Sequence, residues 1–299
     1  MTKKPYFKAQ VAAFLTAVFW GYSFTWTHEV LNYFNPMSII FMRLVIALCI
    51  LVPLMFIFKM REKLRPRQLL QLAILGLFQP FLYFIFETYG VKLTTSTVSS
   101  VVISMIPLFV PIGAYWFFKE HLTITNIGGI ILSFIGVAII IFDNQVKLSG
   151  GWLGLAVLFM AVITAVVYMV LLRKLSASYN VFTINVYQNI FGLLYFLPFF
   201  LFDGVPTLMQ IEFKSDWIFP LVSLAIFGSA AAFMLFTYAI GKIGASKAAA
   251  YNNLVPVITA IAAYWKFSEA ISMQKITGIV IVIAGLFLAQ KKAAAIAQK

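Results

Sequence analysis

Residues 107–136 read PLFVPIGAYWFFKEHLTITNIGGIILSFIG, and residues 256–285 read PVITAIAAYWKFSEAISMQKITGIVIVIAG. Laid on each other with a shift of 149 and no gap, eleven of the thirty positions are identical. They include Pro107/Pro256, Tyr115/Tyr264, Trp116/Trp265, Phe118/Phe267, Glu120/Glu269, Gly129/Gly278 and Gly136/Gly285. Apolar bias alone gives about two or three matches in a composition this skewed. The register runs back to Thr88-Tyr89 over Thr237-Tyr238. The chain is therefore read as two copies of one unit, and repeats of this kind decide a fold before any short motif does.

Composition says what the unit is made of. Of 299 residues 63% are hydrophobic, 17% aromatic and 10% charged, and the mean hydropathy is +0.98. A soluble domain is about 25% charged, so this chain has too little polar surface to face water. Disorder is excluded by 31 Phe, 13 Tyr and 6 Trp. Cys49 alone makes no disulfide framework, and His28 and His121 are too few for a histidine metal or acid–base centre.

A spanning helix needs roughly 20 mostly apolar residues. That ruler marks ten segments: 7–30, 36–58, 68–89, 95–118, 123–142, 151–172, 180–202, 217–240, 245–266 and 273–290. The breaks are short turn sequences such as Asn35-Pro36 and Ser149-Gly150-Gly151. No segment alternates with the two-residue period of a barrel strand, which leaves helices as the spanning structure. The expected fold is one all-α integral membrane domain over 1–299, with ten transmembrane helices in two five-helix repeats, 7–142 and 151–290. Met1-Thr2-Lys3-Lys4 precedes a retained first helix rather than a cleaved signal, since no small-residue cleavage site follows. Because five is odd, the second repeat enters the membrane from the opposite side. That inverted topology is what many secondary transporters use to alternate access around a midplane site.

Sixteen of the 22 Lys and Arg fall at the termini and in the loops around 59–67, 119, 173–174 and 242–247, and five fall in the alternate loops. By the positive-inside rule both termini are cytoplasmic and the membrane is the cell's inner, cytoplasmic one. The net charge of +13 has the same origin and does not mark a nucleic-acid binder.

Arranged along these spans, certain residues resemble the drug/metabolite transporter superfamily and its EamA-type ten-helix exporters. They are Trp20-Gly21, Arg43 inside the second span, Phe86-Glu87-Thr88-Tyr89-Gly90 leading to Ser96-Thr97, Pro107 with Glu120, and Pro256 with Glu269. The resemblance covers essentially the whole chain. It departs where the family often has Gly before the loop Glu, since Lys119 and Ser268 stand there. It implies ten helices, cytoplasmic termini and export of amino acids, related metabolites or drugs.

Polar side chains in hydrocarbon are costly, so their clustering on a helix face is informative. In the third span Gln79, Tyr83 and Glu87 stand at i, i+4 and i+8. Thr97, Ser100, Ser104 and Pro107 line a second face, Thr16, Trp20, Ser23 and Thr27 a third, and Asn252, Pro256 and Thr259, beside Asn253, a fourth. Tyr168, Tyr187, Gln188, Ser229 and Phe233 complete the expected wall. Such faces also serve as interhelical hydrogen-bonding seams, worth roughly 0.6 kcal/mol per pair. For Gln79-Tyr83-Glu87 and Asn252-Asn253 a cavity is favoured, with Arg43 and Glu87 as its charges. Arg43 either snorkels to the nearer, outer membrane face, bonds freed backbone carbonyls or holds a carboxylate. Glu87 either couples a proton, holds a substrate ammonium or pairs structurally with Arg43. Pro107 and Pro256 are expected helix hinges within spans. Gly129, Gly136, Gly278 and Gly285 are expected packing faces. Glu120 and Glu269, ahead of Thr123 and Ser272, are expected to be structural residues at helix starts.

No phosphate-cradling loop, serine elbow or HExxH is present, so neither ATP drive nor hydrolysis is encoded, and no cofactor or metal is expected. The reading is a secondary transporter for a small organic solute, not an enzyme. The alternatives are a membrane-embedded enzyme acting on lipid-linked substrates and a drug or nucleoside exporter of the same fold. The partners are the solute and the bilayer. A coupling proton and a homodimer are left open.

Overall fold

The computed structural model describes residues 3–118, 124–142, 150–244, 248, 251–269 and 271–290. Among them every regular element is helical. Ten helical segments follow in order: α1 Lys3–Val30, α2 Pro36–Ile57, α3 Pro66–Leu93, α4 over 96–118, α5 Ile124–Ile141, α6 Gly151–Leu175, α7 Val181–Gln210, α8 Ser215–Ile243, α9 over 251–267 and α10 Met273–Gln290. Five of these, α2, α3, α6, α7 and α8, are by length and composition alone long and apolar enough to cross a bilayer, and shorter apolar helices accompany them. Glu120, His121 and Thr123 lie outside the described residues.

Starts and stops follow local chemistry. Asn35 caps α2, accepting the Ser38 N–H at 3.0 Å, with Pro36 at the first helical position. Asn180 caps α7 in the same way through Thr183 N–H at 2.9 Å. Each side chain satisfies one of the N–H groups a helix start leaves without an internal partner. Ser272 caps α10 through Lys275 N–H at 2.9 Å.

Several expected continuous helices are broken. In α3 Pro80 offers no N–H and bars its predecessor from helical geometry, so Gln79 sits at φ −148°, ψ 123°. A π-helical turn over Leu77–Leu82 surrounds that break, and α8 has one over Leu224–Ala231, the equivalent place in the second half. In α4 the helix Ser96–Ile103 stops and Ile106–Phe118 begins anew, and in α9 a 3₁₀ turn Tyr251–Leu254 precedes Val255–Phe267. Pro107 and Pro256 therefore do not kink a running helix, as expected of them. Each stands in the first turn of a fresh one, where its missing N–H costs nothing.

The bundle buries polar and apolar residues together, and it also carries many large apolar side chains on its outside. Leu70 and Ile74 of α3 are exposed while Leu72 and Leu75 are fully buried, and Phe202, Phe219 and Trp265 stand on the outside. In water such a surface would be a liability, and in hydrocarbon it is the solvated face. Several helix pairs recur when residues 7–142 are exchanged with 151–290. α1 lies on α8 as α6 lies on α3, α1 on α9 as α6 on α4, and α2 pairs with α7 and α5 with α10. The α5–α10 seam is the tightest. A Cβ on Gly136 would stand 2.7 Å from the Gly278 carbonyl oxygen, and one on Gly285 would stand 2.7 Å from that of Gly129. Between them Ser133 Oγ donates to Val282 O at 3.2 Å. Gly136, Gly278 and Gly285 are packing residues, and only a missing side chain lets the backbones come this close.

Candidate functional site

α1, α2, α3, α4, α6, α8 and α9 surround a central cavity. It contains about 680 Å³ of space free of protein atoms, of which about 60 Å³ can hold the centre of a water molecule, so it is narrow. Most of its wall is apolar. Trp20 meets Phe233 and Phe236 edge-on, with ring centroids 5.3 and 4.8 Å apart, and Phe84 meets Phe233 at 6.0 Å. Such edge-to-face packing is the preferred arrangement of aromatic quadrupoles and stiffens the wall.

Into this apolar box two opposite charges project. Arg43, from α2, is buried; its Nε donates to Ser229 Oγ at 2.7 Å and its guanidinium lies over the Phe84 ring at 4.1 Å. It neither snorkels outward nor pairs directly with a carboxylate. Glu87, from the second half of α3, accepts the Tyr83 hydroxyl at 3.0 Å across one helical turn. Arg43 and Glu87 line the same cavity, and no direct ion pair joins them among the described residues. A guanidinium has five N–H donors and a carboxylate about four acceptor sites, so each keeps capacity beyond these bonds. Ionisable groups out of water and without direct pairing are costly, so Arg43 and Glu87 are the candidate centre of the site.

Of the residues singled out in the sequence, Trp20, Ser23, Arg43, Gln79, Tyr83, Glu87, Tyr168 and Asn252 line the cavity together. Gln79 reaches it from the broken segment, so the expected unbroken 79/83/87 stripe holds as a helix only from Tyr83 on. Ser100, Tyr187 and Asn253 do not line it. The Ser100 hydroxyl turns back onto its own helix at the Thr97 carbonyl, 2.8 Å away, Tyr187 packs in an apolar cluster, and Asn253 is buried behind Asn252. Ser229, expected in the wall, sits behind it and positions Arg43. The wall residues not anticipated are Phe24, Phe84, Ile103, Ile106, Ala165, Met169, Phe236 and Val255. Among so many apolar residues only polar ones stand out by position, and no local signal separates a cavity-facing Phe from a lipid-facing one.

Glu269 is structural, as expected. Its Oε1 accepts from Lys275 Nζ and from Thr95 Oγ1, both at 3.0 Å, tying the α9–α10 loop to the start of α4. Beside it Lys266 pairs with Glu29 at 3.2 Å.

The profile of the EamA-like transporter family matches this chain twice, over residues 7–142 and 152–290. An uncharacterized transporter of Archaeoglobus fulgidus is 26% identical over 285 residues, covering 95% of this chain and 99% of its own. The uncharacterized transporter YetK of Bacillus subtilis is 28% identical over 251 residues, 83% of this chain and 76% of its own. A crystal structure shares the fold with a TM-score of 0.70 at 16% identity, covering 96% of this chain and 98% of that one. Apolar helices around a charged cavity, in a chain matched along almost its whole length, lead to one conclusion: it belongs to the EamA-like transporter family and is a multi-pass membrane transporter, not an enzyme.

Proposed function

We propose that the protein is a secondary transporter that exports small amphipathic solutes, amino acids or close relatives, from the cytoplasm by alternating access around the central cavity. One observation carries this reading: Arg43 and Glu87 share an aromatic cavity, each held by a neutral neighbour instead of by the other. That arrangement suits a zwitterion. A solute carboxylate takes the free guanidinium N–H groups of Arg43, a solute ammonium takes the free lone pairs of Glu87, and an apolar body rests on Trp20, Phe84 and Phe236. A sugar phosphate would want several inward cations, and Arg43 is the cavity's one basic lining residue among those described. Glu87 is also the group suited to exchange a coupling proton.

The inverted repeat is part of the same proposal. Contacts that survive exchange of the halves, and the crossing of α5 and α10 through Ser133 and Val282, which are 149 residues apart, support a pseudo-twofold axis in the membrane plane. With the 16-to-5 split of basic residues, both termini and the 59–67 loop are cytoplasmic and the chain lies in the inner membrane. Efflux from proteoliposomes holding only this protein, with amino acids, nucleosides and cationic drugs side by side, tests the function. Flux of zwitterionic amino acids above the protein-free rate is expected, and flux of none of them overturns the reading.

A further inference from the structure

A second cavity lies at the end of the bundle that carries the 58–65 and 176–180 loops. It is a more open hollow than the central cavity, with about 1080 Å³ free of protein atoms when the solvent at its mouth is included. Its lining includes Met60, Tyr179, Phe182, Met234, Thr237 and Lys242. The lining is largely apolar, and Lys242 is its only charged residue among those described.

One stretch of α8 borders both cavities. Phe233 and Phe236 face the central cavity, while Met234, Thr237 and Tyr238 face the second. Polar groups of α7 that line neither cavity bond to a lining residue of each. Thr237 Oγ1 accepts from Asn185 Nδ2 at 3.3 Å. One turn further along α7, Gln188 Oε1 accepts the hydroxyl of Tyr168 at 3.4 Å, and Tyr168 lines the central cavity. Asn185, Gln188 and Asn189, at i, i+3 and i+4, put three buried amides on one face of a membrane helix. A seam that served packing alone would satisfy both ends of each amide, because an unpaired buried polar atom costs about 1–3 kcal/mol. Asn185 is fully buried, and its Oδ1 has no hydrogen-bond partner among the described residues.

We propose that the second cavity is a vestibule through which solute reaches the central cavity, with Asn185, Gln188 and Thr237 as the polar track between them. On the orientation proposed above it opens to the cytoplasm, so this inference rests on the transport reading and adds the path and its selectivity. The vestibule takes amphipathic solutes carrying an anionic group: the apolar body lies along Met60, Phe182 and Met234, and the anion meets Lys242 at the mouth.

The test uses an anionic methanethiosulfonate reagent on inside-out vesicles in a Cys49→Ala background. Ser104→Cys, in the central cavity, should be labelled from the cytoplasmic side. Adding Met234→Trp to fill the vestibule, or Asn185→Leu to remove the track, should slow that labelling at least about tenfold, the effect of about 1.4 kcal/mol of added barrier. Labelling of Lys242→Cys at the mouth, in the same plugged chain, should persist, and a single sharp size-exclusion peak in detergent shows that the chain is folded. If Met234→Trp does not fold, Met234→Phe is the smaller plug. Unchanged labelling of Ser104→Cys in the plugged and track-deleted chains, or labelling from the opposite face alone, overturns the vestibule. The reagent needs no transported solute, so a chain that moves no tested amino acid faults the function while leaving the path standing.

Discussion

Glu87→Gln separates charge from shape at the heart of the cavity. The Tyr83 hydroxyl donates to Glu87 Oε1 at 3.0 Å, and the Oε1 of a glutamine can accept the same bond, so the side chain should keep its place. A charge-assisted bond is roughly twice as strong as a neutral one, so the fold loses about 1 kcal/mol at this contact. That is a shift of roughly 2 to 4 °C in melting temperature for a chain of a few hundred residues. Function should suffer much more. A hydrogen bond to a charged group is worth about 1.5–3 kcal/mol, which is roughly 10- to 150-fold in affinity for the solute ammonium. The assay is efflux of leucine and of 4-methylpentanoate, its counterpart without the amine, from proteoliposomes at several pH values. The wild-type chain should prefer leucine; the variant should fold, lose most of that preference and show an altered pH profile. A folded variant with the wild-type rate, pH profile and preference would refute the assignment of Glu87 as ligand or coupler.

Arg43→Leu removes both the Ser229 bond and the contact with Phe84 and should abolish efflux, while Arg43→Lys keeps charge but not the planar fork and should retain only a small part of it. Normal expression together with normal efflux in Arg43→Leu would be inconsistent with any role for this side chain. Gly136→Ala and Gly278→Ala each set a methyl group 2.7 Å from a backbone oxygen of the facing helix. Each should cost about 1–3 kcal/mol of stability, read as a lower melting temperature in detergent, and an unchanged value would disprove the close crossing. In a Cys49→Ala background, an engineered Ser215→Cys should react with an impermeant reagent from outside and Ser176→Cys should not. The reverse pattern would invert the topology.

Much of this protein is legible in its sequence because hydrocarbon is an unforgiving solvent. A chain with so few charges must make helices, their number follows from length and loop chemistry, and the match of 107–136 with 256–285 announces two copies of one unit. Polar residues that hydrocarbon would otherwise exclude, such as Arg43, Gln79 and Glu87, were conspicuous for the same reason. Tertiary structure alone decided which of them meet. Ser100 had the same credentials as Ser104, and both hydroxyls donate to the carbonyl three residues back, but only Ser104, at the break in α4, lines the cavity. No sequence pattern could distinguish Phe84 and Phe236 from the aromatics that face lipid, because both environments are apolar and side-chain type responds to polarity, not to location. Nor could it show that Arg43 would settle on Ser229 and Phe84 instead of on Glu87. That choice depends on distances set by packing among three helices, which no single segment encodes.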